Sequence, residues 1–270
     1  MAMPVYNESM TVIEVLSRAD SYCDLLLAVD DGSDDQTRHL LRAYSSAHPQ
    51  LLTVSHRTNR GMSGAALTAF LILRDAYERG VLTLDDIVVM MDSDGQHDPA
   101  DIPRLIAPVR DGIVDMVLGR RNFDNYPWIK RWGNWGLSRW ASWWSGIHYA
   151  DSECGFRAFH VKLLLDILPY FNASQYGLAQ EIAVIAARRH WRVRNDVVVQ
   201  VPRYRLGARA SQGFNNAASA VRAWRRVRMG SWVAHPPLWS DLVMDAVDNV
   251  PSGYPPMLGD WGALEARGLH

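Results

Sequence analysis

The chain has 270 residues, 28 basic and 29 acidic side chains, 48% hydrophobic residues and two cysteines. This composition excludes a disordered or collagen-like chain and leaves length for a sizeable core, as one large α/β domain or two small ones. Cys23 and Cys154 cannot build a disulfide framework, no apolar run reaches the roughly 18 residues of a membrane-spanning helix, and no secretory signal opens the chain, so a soluble cytoplasmic protein is expected.

In chain order, apolar runs at 25–30, 51–55, 87–91 and 113–118 predict buried strands. Helical patterns at 9–19, 34–48, 61–79 and 99–110 alternate with them. That alternation predicts right-handed βαβ units and a mostly parallel, Rossmann-like α/β sheet flanked by helices. Ligands bind beyond the carboxyl ends of such strands. Two strands run there into acidic clusters, Asp30-Asp31-Gly32-Ser33 and Asp92-Ser93-Asp94-Gly95.

The back half differs. Residues 127–146 predict a helix with a broad tryptophan face, since Trp128, Trp132, Trp135, Trp140, Trp143 and Trp144 all fall there. Such a face suits a membrane interface or lipid groove, and equally an ordinary core between helix and sheet. Further helices are expected at 161–168 and 178–190, a strand at 193–201, and a basic amphipathic helix at 214–228. The proline- and glycine-bearing tail, 229–270, is expected to be an irregular wrapping arm or partly disordered. No repeat or strong linker divides the chain, so residues 1–228 are read as one domain.

Charge is segregated: the front half is acidic, whereas 188–228 carries 11 arginines and one acid, Asp196. All but Lys130 and Lys162 of the basic residues are arginine, whose guanidinium fork suits phosphate oxygens. The pattern points to a site where cation and polyanion meet, or to a solvated charged face.

The strongest single motif is Asp92-Ser93-Asp94-Gly95-Gln96-His97, directly after a strand. Two carboxylates one residue apart can place oxygens on a hard cation such as Mg2+ or Mn2+, or can simply cap a turn, as Asp98-Pro99 is expected to do. Other motifs stand in order around it: Pro4-Val5-Tyr6-Asn7-Glu8-Ser9, Val29 to Thr37, Asn59-Arg60-Gly61, Gly119-Arg120-Arg121, Asp151 with Gly155-Phe156-Arg157-Ala158-Phe159, Glu181, and Val201-Pro202 leading to Arg205. This ordered set resembles the inverting family-two glycosyltransferases of GT-A fold, most of all the polyprenyl-phosphate branch typified by dolichol-phosphate mannose synthase. The resemblance runs from Pro4 to Ser211.

The resemblance implies a nucleotide-binding half (1–118), an acceptor half (119–228) and transfer of a sugar from a nucleotide-sugar donor to a polyprenyl phosphate with a divalent metal. Pro4, Tyr6 and Glu8 would line the nucleotide pocket, Asp31 would bond base or ribose, and Asp30 would support that loop. Asn59 and Gly61 would pass close to the nucleotide, and Asp92, Asp94 and Gln96 would hold the metal, Mg2+ or Mn2+. Arg121 and Arg205 would meet phosphate groups. Asp151 is the candidate general base should the acceptor be a hydroxyl, with a turn or a salt bridge to Arg157 as the structural alternative. Asp34 and Asp35 read as helix N-terminal residues, Cys154 as packing, and His56 and His160 carry no assigned role.

Two features depart from the family. Only Met1-Ala2-Met3 precede Pro4, so either the first strand is short or the start is late, leaving its place at the sheet edge open. The C-terminal membrane helices of many relatives have no counterpart here, which counts against a lipid acceptor without excluding one, and any contact with a membrane is expected to be peripheral. The alternatives are the same chemistry on a saccharide or modified nucleic acid, a nucleotidyltransferase, and a non-catalytic module. Residues 1–15 lack the glycine-rich phosphate loop of a nucleotidyltransferase, and both carboxylates that a non-catalytic module would lose are present.

Overall fold

The computed structural model describes residues 1–123, 126–172, 177–201, 210–235 and 242–243. Four short apolar strands, β1 (Ala2–Val5), β2 (Leu26–Asp30), β3 (Leu51–His56) and β4 (Ile87–Met90), pair in parallel in the spatial order β3-β2-β1-β4. Each is largely buried on both faces because helices cover both sides of the sheet, as a parallel sheet requires. The first strand lies between β2 and β4, in the interior of the sheet rather than at its edge.

The helices between these strands follow their apolar spacing. In α1 (Val12–Ala19) Val12, Val15, Leu16 and Ala19 make one buried stripe at helical spacing. Next come α2 (Thr37–Ala47) and α3 (Met62–Glu78), the latter buried nearly all round. Asp98 caps the turn at Pro99–Asp101 by accepting from the Ala100 N–H at 2.9 Å, and α4 (Ile102–Arg110) continues from it. One core layer joins the sheet to α1, α2 and α4; the other joins it to α3 and to helices of the back half.

Beyond β4 the sheet changes direction. β5 (Met116–Leu118) begins three residues later than the apolar run suggests, and β7 (Arg157–His160) inserts antiparallel between β4 and β5. The expected strand at 193–201 is instead two short pieces. β8 (Val193–Arg194) joins the main sheet beside β5, while β9 (Val198–Val199) pairs with β6 (Arg120–Arg121) in a separate ribbon. Of the tail, β10 (Leu242–Val243) pairs antiparallel with β3, completing an eight-stranded sheet, and the Val233 N–H donates to the Pro169 carbonyl at 2.8 Å. The rest of the expected irregular arm lies outside the described residues.

The back-half helices are α5 (Trp128–Ser145), α6 (Val161–Ile167), α7 (Leu178–Arg188) and α8 (Ala210–Met229). α5, α7 and α8 pack on one another, and the Arg226–Glu181 ion pair ties α8 to α7. No described helix is long and apolar enough to cross a membrane. Among the described residues of the basic stretch, Arg189 also pairs with Asp166, Arg192 with Asp115 and Arg194 with Asp196.

Candidate active site

The chain runs from β1 outward to β3 and then returns to the other side of β1 as β4. That places a topological switch point beyond the carboxyl ends of β1 and β4, which is where open α/β sheets bind ligands. The loop after β1 carries Tyr6 and Glu8, β2 ends on Asp30 with Asp31 next in the loop, and the loop after β4 carries Asp92, Asp94 and Gln96.

Polar bonds lock these loops together. The Ser93 hydroxyl donates to the Pro4 carbonyl at 3.0 Å, and the Thr11 hydroxyl donates to the Ser93 carbonyl at 3.0 Å and to Glu8 Oε2 at 2.8 Å. Asn7 N–H donates to Ser33 Oγ, and the Asp34 N–H donates to Asn7 Oδ1, both at 3.0 Å. Asp35 accepts from the Thr37 and Ser9 N–H groups. Burial alone would raise the Asp35 pKa, but these bonds outweigh it and hold the carboxyl at about 2. Asp35 thus ties the first loop to the start of α2, and Glu8, whose carbonyl accepts from Thr11 and Val12, helps begin α1. Tyr6 is 44% exposed.

Asp30 is buried and accepts from the Ser33 N–H at 3.1 Å and from Arg38 Nε at 3.2 Å, which braces its loop. Asp31 is buried too, and its Oδ1 accepts from the Arg60 N–H at 2.8 Å and meets His56 Nδ1 at 2.6 Å. Asn59 Oδ1 accepts from the Gly61 N–H at 3.0 Å. Gly61 has φ +78° at the start of α3, so backbone conformation alone demands glycine there. At Gly32, a side chain would sit 2.8 Å from the backbone of Thr58, so this glycine lets the Asn59 loop lie on the Asp31 loop.

Burial pushes the Asp92 and Asp94 carboxyls above the usual aspartate range, and the charge of Asp92 raises Asp94 further. Arg157 and Arg121 act the other way on Asp92. Two desolvated carboxylates that repel each other are a fitting cradle for a divalent cation. Gln96 holds Asp94 in place, its N–H donating to Oδ1 at 2.9 Å and its side-chain amide to Oδ2 at 2.7 Å. No three His, Cys, Asp or Glu side chains group around a metal position among the described residues. A cation here would therefore complete its shell with donor phosphate oxygens and water, as Mg2+ does in phosphate sites. Gly155 lies against this centre, where an added Cβ would come 2.7 Å from Asp92 Cγ. His97 lies behind it, its pKa lowered to about 4 first by burial and then by Arg121.

Arg121 joins this centre to the back half. Its Nε and Nη2 donate to the two oxygens of Asp151 at 2.8 and 2.9 Å, its N–H to Asp151 Oδ2 at 3.1 Å, and Nη2 also to Asn134 Oδ1 at 2.8 Å. The Asp151 carboxylate is fully buried and further accepts from the Glu153 N–H at 3.2 Å. Its salt-bridge partner is thus Arg121, not Arg157. Arg157 is also buried, and donates to the Cys154 carbonyl. Burial pushes the Cys154 thiol up to about 12, which leaves it a packing group. Glu181 pairs with Arg226 and accepts from the Asn172 N–H, a helix-fastening arrangement. Arg205 and Pro202 lie outside the described residues.

Beside Arg121 a cleft of about 920 Å³ opens between the β6–β9 ribbon and α5, lined among others by Arg120, Arg131, Trp128, Trp132 and Trp135. On α5 the buried residues are the small Ser138, Ala141 and Ser145, whereas Trp128, Trp132, Trp135 and Trp143 are exposed and lie on one helical face. Most of the tryptophan face is therefore not core; only Trp144 packs inward, against Trp224. Residues that the sequence reading missed include His56, Thr11, Asn7, Asn134 and Asn195. Asn195 accepts from the Ala150 and Asp151 N–H groups and donates to the Asp151 carbonyl. A histidine closing an apolar strand beside an acidic cluster was the one signal for His56; the others are isolated polar residues with none.

A switch point flanked by acidic loops, on a sheet broken by an antiparallel strand, defines a GT-A glycosyltransferase. Residues 1–161 match Glycosyl transferase family 2, and the chain belongs to that family. It is 31% identical over 206 residues to a UDP-N-acetylglucosamine–dolichyl-phosphate N-acetylglucosaminyltransferase of Methanococcus voltae, covering 70% of this chain and 79% of that one. With an undecaprenyl-phosphate mannosyltransferase of Micrococcus luteus it shares 30% over 209 residues, covering 74% and 80%. Among solved structures, glucosyl-3-phosphoglycerate synthase from Mycobacterium tuberculosis, in complex with Mn2+ and UDP-glucose, superposes with a TM-score of 0.58 at 18% identity, covering 83% of this chain and 78% of that one. At that identity the likeness concerns the fold.

Proposed function

We propose that this glycosyltransferase moves a sugar from a nucleotide-sugar donor to a polyprenyl phosphate, with inversion, while lying on a membrane surface. The observation that carries the reading is the cleft beside Arg121, where guanidinium groups and tryptophans share one wall. A lipid phosphate needs both, cations for its head and apolar rings for its first isoprene units. The named relatives that act on dolichyl and undecaprenyl phosphates support the same acceptor class.

The donor's base and ribose are assigned to Pro4, Tyr6, Glu8, Asp30, Asp31, Asn59 and Gly61, around the switch point whose loops those bonds lock together. Asp92 and Asp94, steadied by Gln96, would hold Mg2+ or Mn2+, which when bound neutralises the leaving diphosphate. An acceptor phosphate oxygen is already anionic, so it attacks the anomeric carbon without a general base while the nucleoside diphosphate departs from the opposite face. Asp151 then serves by holding Arg121, through which it orients the acceptor phosphate, and Arg205 is assigned to the same charge. Trp128, Trp132, Trp135 and Trp143, with Lys130, Arg131 and Arg139 on the same helix, suit the interface of an anionic leaflet and imply peripheral attachment at the membrane.

The test is a panel of UDP- and GDP-sugars with Mn2+ or Mg2+ against a short polyprenyl phosphate, glycerol phosphate and a saccharide acceptor. Product on the polyprenyl phosphate alone supports the reading. Transfer to the saccharide alone would sink it.

A further inference from the structure

We infer that His56 is a positioning residue for the donor nucleotide, acting through Asp31 as the middle of a buried relay that starts at Thr68. The inference rests on the donor-site reading above. β2 and β3 pair with Asp30 opposite Ser55, so the next residues, Asp31 and His56, emerge side by side at the carboxyl ends of the two strands. His56 is fully buried, its Nδ1 2.6 Å from Asp31 Oδ1 and its Nε2 2.8 Å from Thr68 Oγ1 on α3. An Asp31 carboxylate can only accept, so Nδ1 donates to it; the second ring nitrogen is closed by the Thr68 hydroxyl, which accepts from a protonated Nε2 or donates to a bare one.

Both ring nitrogens are thereby paired on a fully buried histidine, so the relay is rigid and fixes the carboxylate at its end. The end point is the buried Asp31 carboxylate, just beyond the carboxyl end of β2, where the donor-site reading puts the nucleotide. His56 and the Arg60 N–H both engage Oδ1, which fixes the rotation of the carboxyl group, and Oδ2 is engaged by neither. The His56 carbonyl also accepts from Arg38 Nη2 at 2.7 Å, while Arg38 Nε holds Asp30. One histidine therefore sets both acidic residues of the loop, Asp31 through its ring and Asp30 through its backbone. A carboxylate so aimed recognises N–H or O–H donors, those of a uracil or guanine edge or of a ribose.

The test measures UDP and GDP binding with Mn2+ by calorimetry, together with donor and acceptor KM and kcat. His56→Leu keeps the volume and removes the relay, whereas His56→Asn retains a donor where Nδ1 stands. His56→Leu is expected to weaken the preferred nucleotide at least ~10-fold, with donor KM rising in step, acceptor KM unchanged and kcat falling far less. His56→Asn should recover most of the loss, and in an Asp31→Ala background His56→Leu should add nothing. If His56→Leu does not fold, Thr68→Val reads the relay from its other end and should weaken binding by roughly threefold. Unchanged affinity in the folded variants, equal loss in His56→Leu and His56→Asn, or full additivity with Asp31→Ala would each overturn the inference. A wild-type chain that binds neither nucleotide overturns the donor-site reading itself, and the inference with it.

Discussion

Asp151→Asn separates a positioning carboxylate from a catalytic base. The native side chain is fully buried and accepts four bonds, three of them from Arg121, whose own side chain is only 18% exposed. Asparagine keeps the volume, but it loses the charge and turns an amide N–H2 against one of the Arg121 donors. Removing one partner of a buried ion pair costs about 3–5 kcal/mol. Because Asn134 still accepts from Arg121, the lower end applies, about 3 kcal/mol. For a domain of this size each kcal/mol shifts Tm by about 2–4 °C, so a fall of roughly 6–12 °C is expected by scanning calorimetry. Transfer to polyprenyl phosphate should weaken mainly through acceptor KM, and the pH–rate profile should keep its acidic limb. A variant with unchanged Tm whose kcat drops ~100-fold or more, with the acidic limb gone, would refute this reasoning and make Asp151 a general base.

Asp94→Ala, or chelation of the wild-type enzyme, should abolish turnover and leave Tm within about 1 °C, since one of two mutually repelling carboxylates is being removed from a strand end; full activity in both would remove the metal assignment. Trp132→Ala combined with Trp135→Ala should lower co-sedimentation with anionic vesicles several-fold without altering nucleotide binding, whereas equal binding by variant and wild type would assign the face elsewhere. Hydrogen bonds from Arg192 hold the Asp115 carboxyl below the usual aspartate range. A depressed folded pKa adds stability above the unfolded value of about 4, and that stability is lost as pH falls through the folded pKa. Asp115→Asn should therefore lower Tm at pH 7, with the deficit shrinking as pH drops below about 4; a deficit independent of pH would assign the effect to packing.

Much of the candidate site could be read from the chain because its residues stand on consecutive βα loops, and a parallel sheet gathers such loops at one end whatever the packing between them. Asp31, Asp92 and Asp94 are legible for that reason, as is α5, where tryptophans recur at helical spacing. β7 was not legible as a strand, because Arg157 and His160 interrupt its apolar pattern and burial on both faces removes any alternation. The 193–201 segment reads as one strand because its valines dominate, although Asn195-Asp196 carry the turn chemistry of the bend that sends Val193 to the main sheet and Val198 to the ribbon with Arg120.

The sequence by itself determined the βαβ order, the carboxylates at the strand ends and the family, since each depends on neighbours within a few residues or on the order of motifs. Only the tertiary structure decided which charges are spent on one another. Arg121 and Asp151 stand 30 residues apart, and Asp31 and His56 stand 25 apart, so no local pattern pairs them. It also decided that α5 turns its small Ser and Ala residues inward and its tryptophans, Trp144 excepted, outward. That choice follows from close packing of α7 and α8 against α5, since helices that approach so nearly leave no room for an indole at every contact.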